Sequence, residues 1–393
     1  MKILVVCQHY APEPFRISDV CEALVKRGHE VQVLTGLPNY PMGRIYDGYR
    51  GGKRRCEEIN GVKVRRCFTI GRRTGIFWRV INYYSFAISS SLYARRMKED
   101  FDVVFVNQLS PVMMAKAGAT YKKKHKKKML LYCMDLWPES LEAGGIKPGS
   151  LVYKIFMGVS KRLYKTADKI AITSQSFDGY FEEKFGITGT EYLPQYAEAL
   201  FDVEACKKKE NETVDIMFAG NVGSAQSVET VVKAAALTKD IHNLRWHIVG
   251  EGSALKRVKA LVEEQKLESV TFHGKRPVEE MPKYYSMADA MLVTLARKPV
   301  FALTVPGKLQ TYMAAGKPII GSIDGETSRV ISDAGCGFCC EAENSEKLAE
   351  CVRSFIASEE KKRYAENSLS YYKMHFSKET FMDKLERLLE SQL

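Results

Sequence analysis

The chain of 393 residues predicts an α/β protein of two tandem doubly wound, Rossmann-like domains with a ligand cleft between them. Three observations carry this reading. The length exceeds what one hydrophobic core usually supports, so two domains of roughly 190 residues follow. Short apolar runs alternate with helix-period segments, the pattern of parallel sheets covered on both faces. The pattern then starts afresh near residue 215, beyond a polar stretch over 195–212 that contains Lys207-Lys-Lys-Glu-Asn-Glu212.

The first strand, 3–7, opens Met1-Lys-Ile-Leu-Val-Val-Cys7, which is too short for a secretory leader and reads as a buried strand. Further strands are expected at 30–35, 62–68, 103–107, 129–133 and 169–173, with helices over 17–27, 76–98, 111–121, 150–165 and 175–185. In the second half strands are expected at 215–219, 245–249, 270–273, 290–294, 318–321 and 337–341, with helices over 226–237 and 253–265. The division is expected at 1–198 for the first domain and 199–375 for the second. A last segment, 376–393, is expected to pack back on the first domain. Ligands of such sheets bind outside the carboxyl ends of the strands, so function belongs to the loops that follow them.

Composition narrows the class. No run of 18 apolar residues occurs, so no membrane-spanning helix is expected. Ten cysteines in a chain this long make no disulfide framework, and Cys336-Gly-Phe-Cys339-Cys340 reads as buried thiols, which fits the cytoplasm. Asp100-Phe-Asp102 precedes a strand instead of following one, and no metal site is expected. Charge is lopsided: residues 1–200 hold 32 Lys and Arg against 19 Asp and Glu, and the remainder 27 against 28. The first domain therefore faces an anionic partner. No nucleic-acid motif accompanies that charge, and no nucleic-acid partner is expected.

The segment Thr304-Val-Pro-Gly-Lys-Leu-Gln-Thr-Tyr-Met-Ala-Ala-Gly-Lys-Pro318 carries the most chemistry. Pro306 and Gly307 open a short helix whose first amides, on Gly307, Lys308 and Leu309, point outward at its positive end. That is an anion site, and Lys308 adds a full charge. After the strand at 215–219, Ala219-Gly-Asn-Val-Gly-Ser-Ala-Gln-Ser227 offers Gly220 and Gly223 for close backbone approach, with Asn221 and Gln226 as hydrogen-bonding groups. After the next strand, Gly250-Glu-Gly252 makes a tight turn into a helix. Val270-Thr-Phe-His-Gly-Lys-Arg-Pro277 ends a strand in a basic loop, and Ser322-Ile-Asp-Gly-Glu-Thr327 follows a later one.

The order of these segments resembles glycosyltransferase family 4, of the GT-B fold, over nearly the whole chain. His9-Tyr-Ala-Pro-Glu-Pro14, Pro38-Asn-Tyr-Pro-Met-Gly43, Asp135-Leu-Trp-Pro-Glu-Ser140 and Leu193-Pro-Gln-Tyr-Ala-Glu198 extend the likeness. Two of them resemble the bacterial polysaccharide subgroup that includes the N-acetyl-L-fucosamine transferases of O-antigen synthesis. The resemblance implies a retaining, metal-independent transfer with no cofactor beyond a nucleotide-sugar substrate. It implies that Gly274, Lys275, Arg276 and Pro277 hold the base. Glu326, with Gly325 before it, would reach the ribose or sugar, and Pro306, Gly307, Lys308 and Leu309 the diphosphate. Many members carry two Glu eight residues apart in this region. Here Leu303 and Thr311 occupy those positions, and Glu326 is the candidate to stand in.

A departing nucleoside diphosphate gains negative charge, so its stabilisation is the main electrostatic task. Lys308, the 307–309 amides and Arg276 are the candidates for it. Asp135, after the 129–133 strand, is a candidate to orient or deprotonate the acceptor hydroxyl, or else marks a structural turn. Trp137 reads either as a sugar platform or as core. Arg16, Asn39 and Tyr40 are further acceptor-side candidates.

The segment 72–98 contains the aromatic-rich helix expected over 76–98, with Phe77, Ile81, Tyr84, Ile88 and Leu92 on one apolar face and basic residues flanking both ends. With the run Lys122-Lys-Lys-His-Lys-Lys-Lys128, it reads as a seat on an anionic membrane surface. The expected activity is transfer of an N-acetylhexosamine from a UDP donor to a lipid-linked glycan precursor, at the inner face of the plasma membrane. A UDP-sugar 2-epimerase and a non-catalytic assembly protein with a degenerate donor site are the alternatives.

Overall fold

The computed structural model describes residues 1–208 and 211–393; Lys209 and Glu210, inside the charged 207–212 run, lie outside the described residues. The chain divides into two units. The first is Met1–Thr173, Phe177–Leu193 and Met382–Leu393, and the second is Ser174–Ser176 and Pro194–Phe381. The sequence-derived boundary at 198/199 therefore moves back to 193/194.

The first unit runs β1 (Lys2–Val6), α1 (Ile17–Lys26), β2 (Glu30–Thr35), β3 (Cys56–Ile59), β4 (Val62–Arg66), α2 (Ile76–Arg96) and β5 (Val103–Gln108). It continues with α3 (Lys116–His125), β6 (Lys128–Cys133), α4 (Leu151–Tyr164), β7 (Lys169–Ile172), α5 (Ser176–Phe185) and β8 (Glu191–Tyr192). The sheet order is β3-β4-β2-β1-β5-β6-β7-β8. All pairings are parallel except β3 on β4, a hairpin absent from the sequence reading. Asn60 and Gly61 make its turn, both at positive φ, as a two-residue hairpin requires. Ile3 to Val6 are all fully buried, because helices cover both faces of a parallel sheet.

The second unit runs β9 (Val214–Ala219), α6 (Val228–Ala236), β10 (Leu244–Val249), α7 (Leu255–Glu264), β11 (Val270–Gly274), α8 (Met281–Tyr285) and β12 (Ala290–Thr294). There follow α9 (Pro299–Ala302), α10 (Gly307–Ala314), β13 (Ile319–Ser322), α11 (Glu326–Ala334), β14 (Gly337–Cys340), α12 (Ser345–Ala357) and α13 (Lys361–Tyr371). Its sheet is parallel throughout, ordered β11-β10-β9-β12-β13-β14. The chain reverses its direction of winding between β9 and β12, and the loops that part there leave a crevice at the carboxyl edge. Trp246, Phe218, Ile248, Leu292 and Phe355 lie in the core beneath it.

The last helix, α14 (Lys378–Glu390), spans the division. Its 382–393 part belongs to the first unit, where Arg27 of α1 pairs with Asp383 and Glu386 and His29 bonds Glu386 at 2.7 Å.

Helix α2 buries Phe86, Ala87 and Ala94 as a surface helix does, but it also turns apolar side chains outward and polar ones inward. Its outward side carries Phe77, Val80, Tyr84, Ile88 and Leu92, all exposed. Its inward side carries Asn82 and Ser90, both fully buried. Asn82 accepts from Gln8 Nε2 at 2.8 Å and donates to the Ile70 carbonyl at 2.6 Å. Ile81, expected on the outer face, is only half-exposed, and Val80 takes that place. The basic run at 122–128 is less available than its composition suggests. Lys122 and Lys128 pair with Asp168, Lys127 pairs with Asp100, and Lys124 donates to the Met97 carbonyl. A surface role for that run therefore rests on Lys123 and Lys126.

Candidate functional site

A cavity of about 640 Å³ opens in the second unit, lined by the loops after β9, β10 and β11, the start of α10 and the Glu198–Phe201 segment. Two loops form its floor by crossing backbone on backbone. Gly220 N–H donates to the Val249 carbonyl at 2.9 Å, and Val222 N–H to Glu251 at 2.8 Å. A Cβ on Gly250 would stand 1.8 Å from the Gly220 carbonyl oxygen, and one on Gly252 2.3 Å from that of Val222. Gly250 also lies at φ +139°, where side chains are strained. The glycines are fixed by this crossing as much as by any ligand.

Helix α10 is tied to the same floor. The Tyr312 hydroxyl donates to the Ala219 carbonyl at 2.8 Å and accepts from its N–H at 3.1 Å. Pro306 is the N-cap and Gly307 the first helical residue. Leu309 N–H donates to the Pro306 carbonyl at 2.9 Å, and its side chain is fully buried. Leu309 is thereby withdrawn from the expected set of ligand donors. The anion-facing end of α10 is left to Gly307 and Lys308.

Lys308 lines the cavity, yet its Nζ is buried and lacks a hydrogen-bond partner among the described residues. The ammonium lies 3.8 Å from the centre of the Phe218 ring and close beneath Gly220. Burial pushes its pKa down to about 7. A buried unpaired ammonium is costly, so an anion arriving at the Gly220 turn would both supply a partner and draw the side chain out.

The basic loop after β11 is placed by a buried chain of polar groups. Asp215 Oδ1 bonds His247 Nε2 at 2.8 Å, and His247 Nδ1 faces His273 Nε2 at 2.9 Å. Burial opposes ionisation of Asp215, but hydrogen bonds from His247, Lys208 and Thr213 outweigh it and hold the carboxyl below its usual range. Burial, with the neighbouring His247 and Arg276, lowers the pKa of His273. Arg276 Nε donates to the His273 carbonyl at 2.9 Å, and its guanidinium lies over Tyr284. Lys275 and Arg276 stay exposed at the cavity.

Of the expected donor residues, the cavity brings together Gly220, Asn221, Gly250, Gly252, Lys275, Arg276 and Lys308. Gly223, Gln226, Gly274, Pro277, Pro306, Gly307, Leu309 and Gly325 are not in its lining. Gln226 instead braces the loop: its Oε1 accepts from Asn221 Nδ2 at 3.1 Å and Gly223 N–H at 3.2 Å. Gly325 packs where a Cβ would stand 2.0 Å from the Ala302 carbonyl oxygen. Glu326 is buried and outside the lining. One of its oxygens accepts from Ser176 at 2.6 Å and the other from Arg329 at 2.7 Å. It holds the start of α11, and both oxygens expected to reach a ribose are engaged.

The lining also includes Thr311, Tyr285, Glu198 and Glu251, polar residues that are not among the sequence candidates, beside apolar side chains such as Phe201, Val278 and Met281. Glu251 lies between two glycines already singled out. Thr311 had been noted only as the place of a missing carboxylate, and its hydroxyl donates to the Gly307 carbonyl at 3.1 Å.

In the first unit, the loops after β1 and β2 meet at Glu13, which is buried. Its Oε1 accepts from the amides of Asn39 and Tyr40 at 2.8 and 2.7 Å and faces His9 Nδ1 at 3.0 Å. His9 stacks on Phe15, with Tyr40 edge-on to it. Neither His9 nor Glu13 was a candidate from sequence, although both lie in the His9–Pro14 segment quoted above.

Asn39 is fully buried. Its Oδ1 accepts from Arg72 N–H at 3.2 Å and its Nδ2 donates to Leu37 at 2.9 Å. That makes it a brace and leaves no group for an acceptor. Tyr40 is partly exposed and Arg16 half-buried at the N-cap of α1. Trp137 is buried, edge-on to Phe156, so it offers no open sugar platform.

Asp135 keeps one face open to solvent. The protein enclosing its other sides still raises its pKa above the usual carboxylate value, and hydrogen bonds from Ser110 offset this in part. A carboxylate whose protonated form is favoured in this way is a better proton acceptor than an ordinary one.

Among the described residues no cluster of three or more His, Cys, Asp or Glu is arranged for a metal ion, and no helix is long and apolar enough to cross a membrane.

Comparison with known proteins gives this geometry a setting. Residues 16–192 match the family described as Glycosyltransferase Family 4, and residues 202–369 the one described as Glycosyl transferases group 1. The chain is 25% identical over 384 residues to the putative colanic acid biosynthesis glycosyl transferase WcaI of Escherichia coli (strain K12), spanning 91% of this chain and 92% of that one. It is 24% identical over 282 residues to the probable glycosyltransferase WbjE of Pseudomonas aeruginosa, spanning 69% of each. The crystal structure of Anabaena Alr3699/HepE in complex with UDP-glucose covers all of both chains with a TM-score of 0.69 at 15% identity, a likeness of fold.

Proposed function

Because the chain belongs to the glycosyltransferases, family 4 in its first half and group 1 in its second, we propose that it moves a sugar from a UDP donor to a lipid-linked glycan precursor in bacterial surface polysaccharide synthesis. The observation that carries the donor half is the buried, unpartnered ammonium of Lys308 beneath a backbone-lined cavity. A diphosphate at the Gly220 turn would meet that ammonium, the start of α10 and the exposed Lys275 and Arg276. As the glycosidic bond breaks, these cations take up the charge of the departing diphosphate. They do so without a metal ion, and no cofactor is required. UDP is favoured by the fold neighbour that holds UDP-glucose. The polysaccharide setting is favoured by WcaI, which is described as acting in colanic acid biosynthesis.

An N-acetylhexosamine as the transferred sugar follows the resemblance of the 38–43 and 135–140 segments, and retention of its configuration follows the resemblance to the family as a whole. Asp135 orients the acceptor hydroxyl and receives its proton, and Glu326 supports α11 from outside the chemistry. The outward apolar face of α2, with Arg95, Arg96 and Lys98 exposed at its end, seats the enzyme on the inner face of the plasma membrane.

Calorimetric titration with UDP, with GDP as control, tests the donor half. Selective UDP binding that persists in EDTA is expected, and preference for GDP removes the assignment. UDP release from a UDP-N-acetylhexosamine should then depend on added lipid-linked acceptor. Free isomerised sugar would instead reveal an epimerase.

A further inference from the structure

The first unit contains a second cavity, of about 470 Å³, within the usual range for a small-molecule site. Its chemistry differs from that of the donor cavity. Met113, Trp137, Leu141, Val152 and Phe156 give it apolar walls, Tyr83, Tyr84, Ser110 and Ser140 add hydroxyl-bearing side chains, and no acidic residue lines it among the described residues. Arg72 and Arg79 also line it; the described residues contain no carboxylate partner for either.

Two further observations point to a ligand. Trp137 Nε1 is buried without a hydrogen-bond partner among the described residues, a state that native structures rarely leave unexplained. The cavity is also continuous with exposed apolar surface. Val80 and Tyr84 of α2 and Val152 of α4 line it while remaining exposed, and Phe77, Ile88, Leu151 and Ile155 extend the same two helix faces. A free sugar could bond the hydroxyls but would neither cover the apolar walls nor neutralise the two arginines. A nucleotide would find no backbone cradle. An amphiphile with an anionic head satisfies both the arginines and the apolar walls.

We infer that this groove between α2 and α4 receives the hydrocarbon next to the head of a lipid phosphate or diphosphate, with Arg72 and Arg79 on the phosphate. The inference rests on the proposal that the acceptor is lipid-linked, and it names where the lipid part of that acceptor binds. The chain would enter from the membrane side along the exposed faces of α2 and α4, so the acceptor need not leave the bilayer completely.

The test is equilibrium binding of farnesyl diphosphate to the whole protein, with inorganic pyrophosphate and dodecyl phosphate alongside. Farnesyl diphosphate should bind saturably and at least about tenfold more tightly than pyrophosphate. Arg79→Ala, which removes a head contact, and Val152→Trp, which fills the groove from an exposed position, should each weaken it by about tenfold while UDP affinity stays unchanged. Dodecyl phosphate binding as well as farnesyl diphosphate would support a groove open to straight chains; much weaker binding would support selection of a branched polyprenyl chain. Pyrophosphate binding equally well, displacement of farnesyl diphosphate by UDP, or parental affinity in both variants would overturn the inference. Sugar transfer to a lipid-linked glycan in vesicles, run in parallel, separates the two readings. Transfer without farnesyl diphosphate binding would overturn the groove and spare the lipid-linked acceptor. Binding without any such transfer would support the groove and remove that acceptor.

Discussion

The two cavities are built from different materials. The one in the second unit has a floor of crossing backbone, with Gly220, Gly250 and Gly252 locked where loops cross. The one in the first unit is made of side chains on helices whose apolar faces look outward. Backbone crossings tolerate almost no substitution, whereas side-chain walls can be exchanged one at a time. A part of the substrate common to many reactions, such as a diphosphate, is suited to the first kind of site. A part that varies between enzymes, such as an acceptor, is suited to the second.

The sharpest way to break this comparison is Gly250→Ala. The new methyl would stand 1.8 Å from the Gly220 carbonyl oxygen at a φ of +139°, so the loops must part. A loss of about 3 kcal/mol or more in unfolding free energy is expected, with loss of UDP binding. Urea unfolding at parental stability would show that the crossing is soft and that the glycines serve the ligand alone.

Asp135→Asn is expected to leave stability nearly unchanged and lower the transfer rate by about a hundredfold. The raised pKa gives the sign of the pH dependence. Asp135 becomes a base only above that pKa, so kcat/KM should climb with pH through it, and the acid limb should vanish in the variant. The same limb in parent and variant would mean that Asp135 only shapes the turn.

Lys308→Met separates function from stability. In the empty fold the ammonium has only the face of the Phe218 ring to set against the cost of its burial, so the variant should be about as stable as the parent or more so. UDP affinity should nevertheless fall by about 1.5–3 kcal/mol, the weight of a charge-assisted hydrogen bond. Between pH 7 and the ordinary lysine value of 10.5, the unfolded chain holds a proton that the folded chain has lost. The ligand-free parent should therefore gain stability relative to the variant as pH rises across that window. Binding of UDP favours the charged amine, so affinity should weaken over the same rise. A variant less stable than the parent at neutral pH would show that Lys308 has a structural partner.

These outcomes bear on what was legible from sequence. The parallel sheets were legible because runs such as Ile3-Leu-Val-Val6 are buried on both sides and leave no alternative to a covered strand. The donor loops were legible because glycines and cations follow strands, although their division of labour was not. Gln226 looks like a ligand group but braces its loop, and Leu309 looks like an amide donor but completes a turn, since each depends on a bond three residues away. Glu326 was misplaced for a similar reason: Ser176, which takes one of its oxygens, is 150 positions distant. The β3–β4 hairpin was overlooked although Asn60-Gly61 marks it. The 122–128 lysines were over-read, because their partners Asp100 and Asp168 lie outside the run.

Helix α2 gives the comparison its finest test, with the smallest expected effect. Its period was readable, but which face is buried was not, because Asn82, Ser85 and Ser90 could have faced water. Asn82 and Ser85 find partners outside the helix in Gln8 and Ile70, and Ser90 satisfies its hydroxyl on the Phe86 carbonyl of the helix itself. That leaves Ile88 and Leu92 half-exposed with no polar obligation. Ile88→Glu should therefore leave the melting temperature within a degree or two, as an exposed substitution does, while reducing binding to vesicles that contain anionic lipid. Arg95→Ala and Arg96→Ala should each cost about 1 kcal/mol of vesicle binding when the lipid is anionic and nothing when it is neutral. Unchanged binding in all three variants would mean that this side of α2 meets no membrane. A marked loss of stability in Ile88→Glu would mean that the face is covered, and the contrast between a backbone-built site and an outward-facing one would then lose its second member.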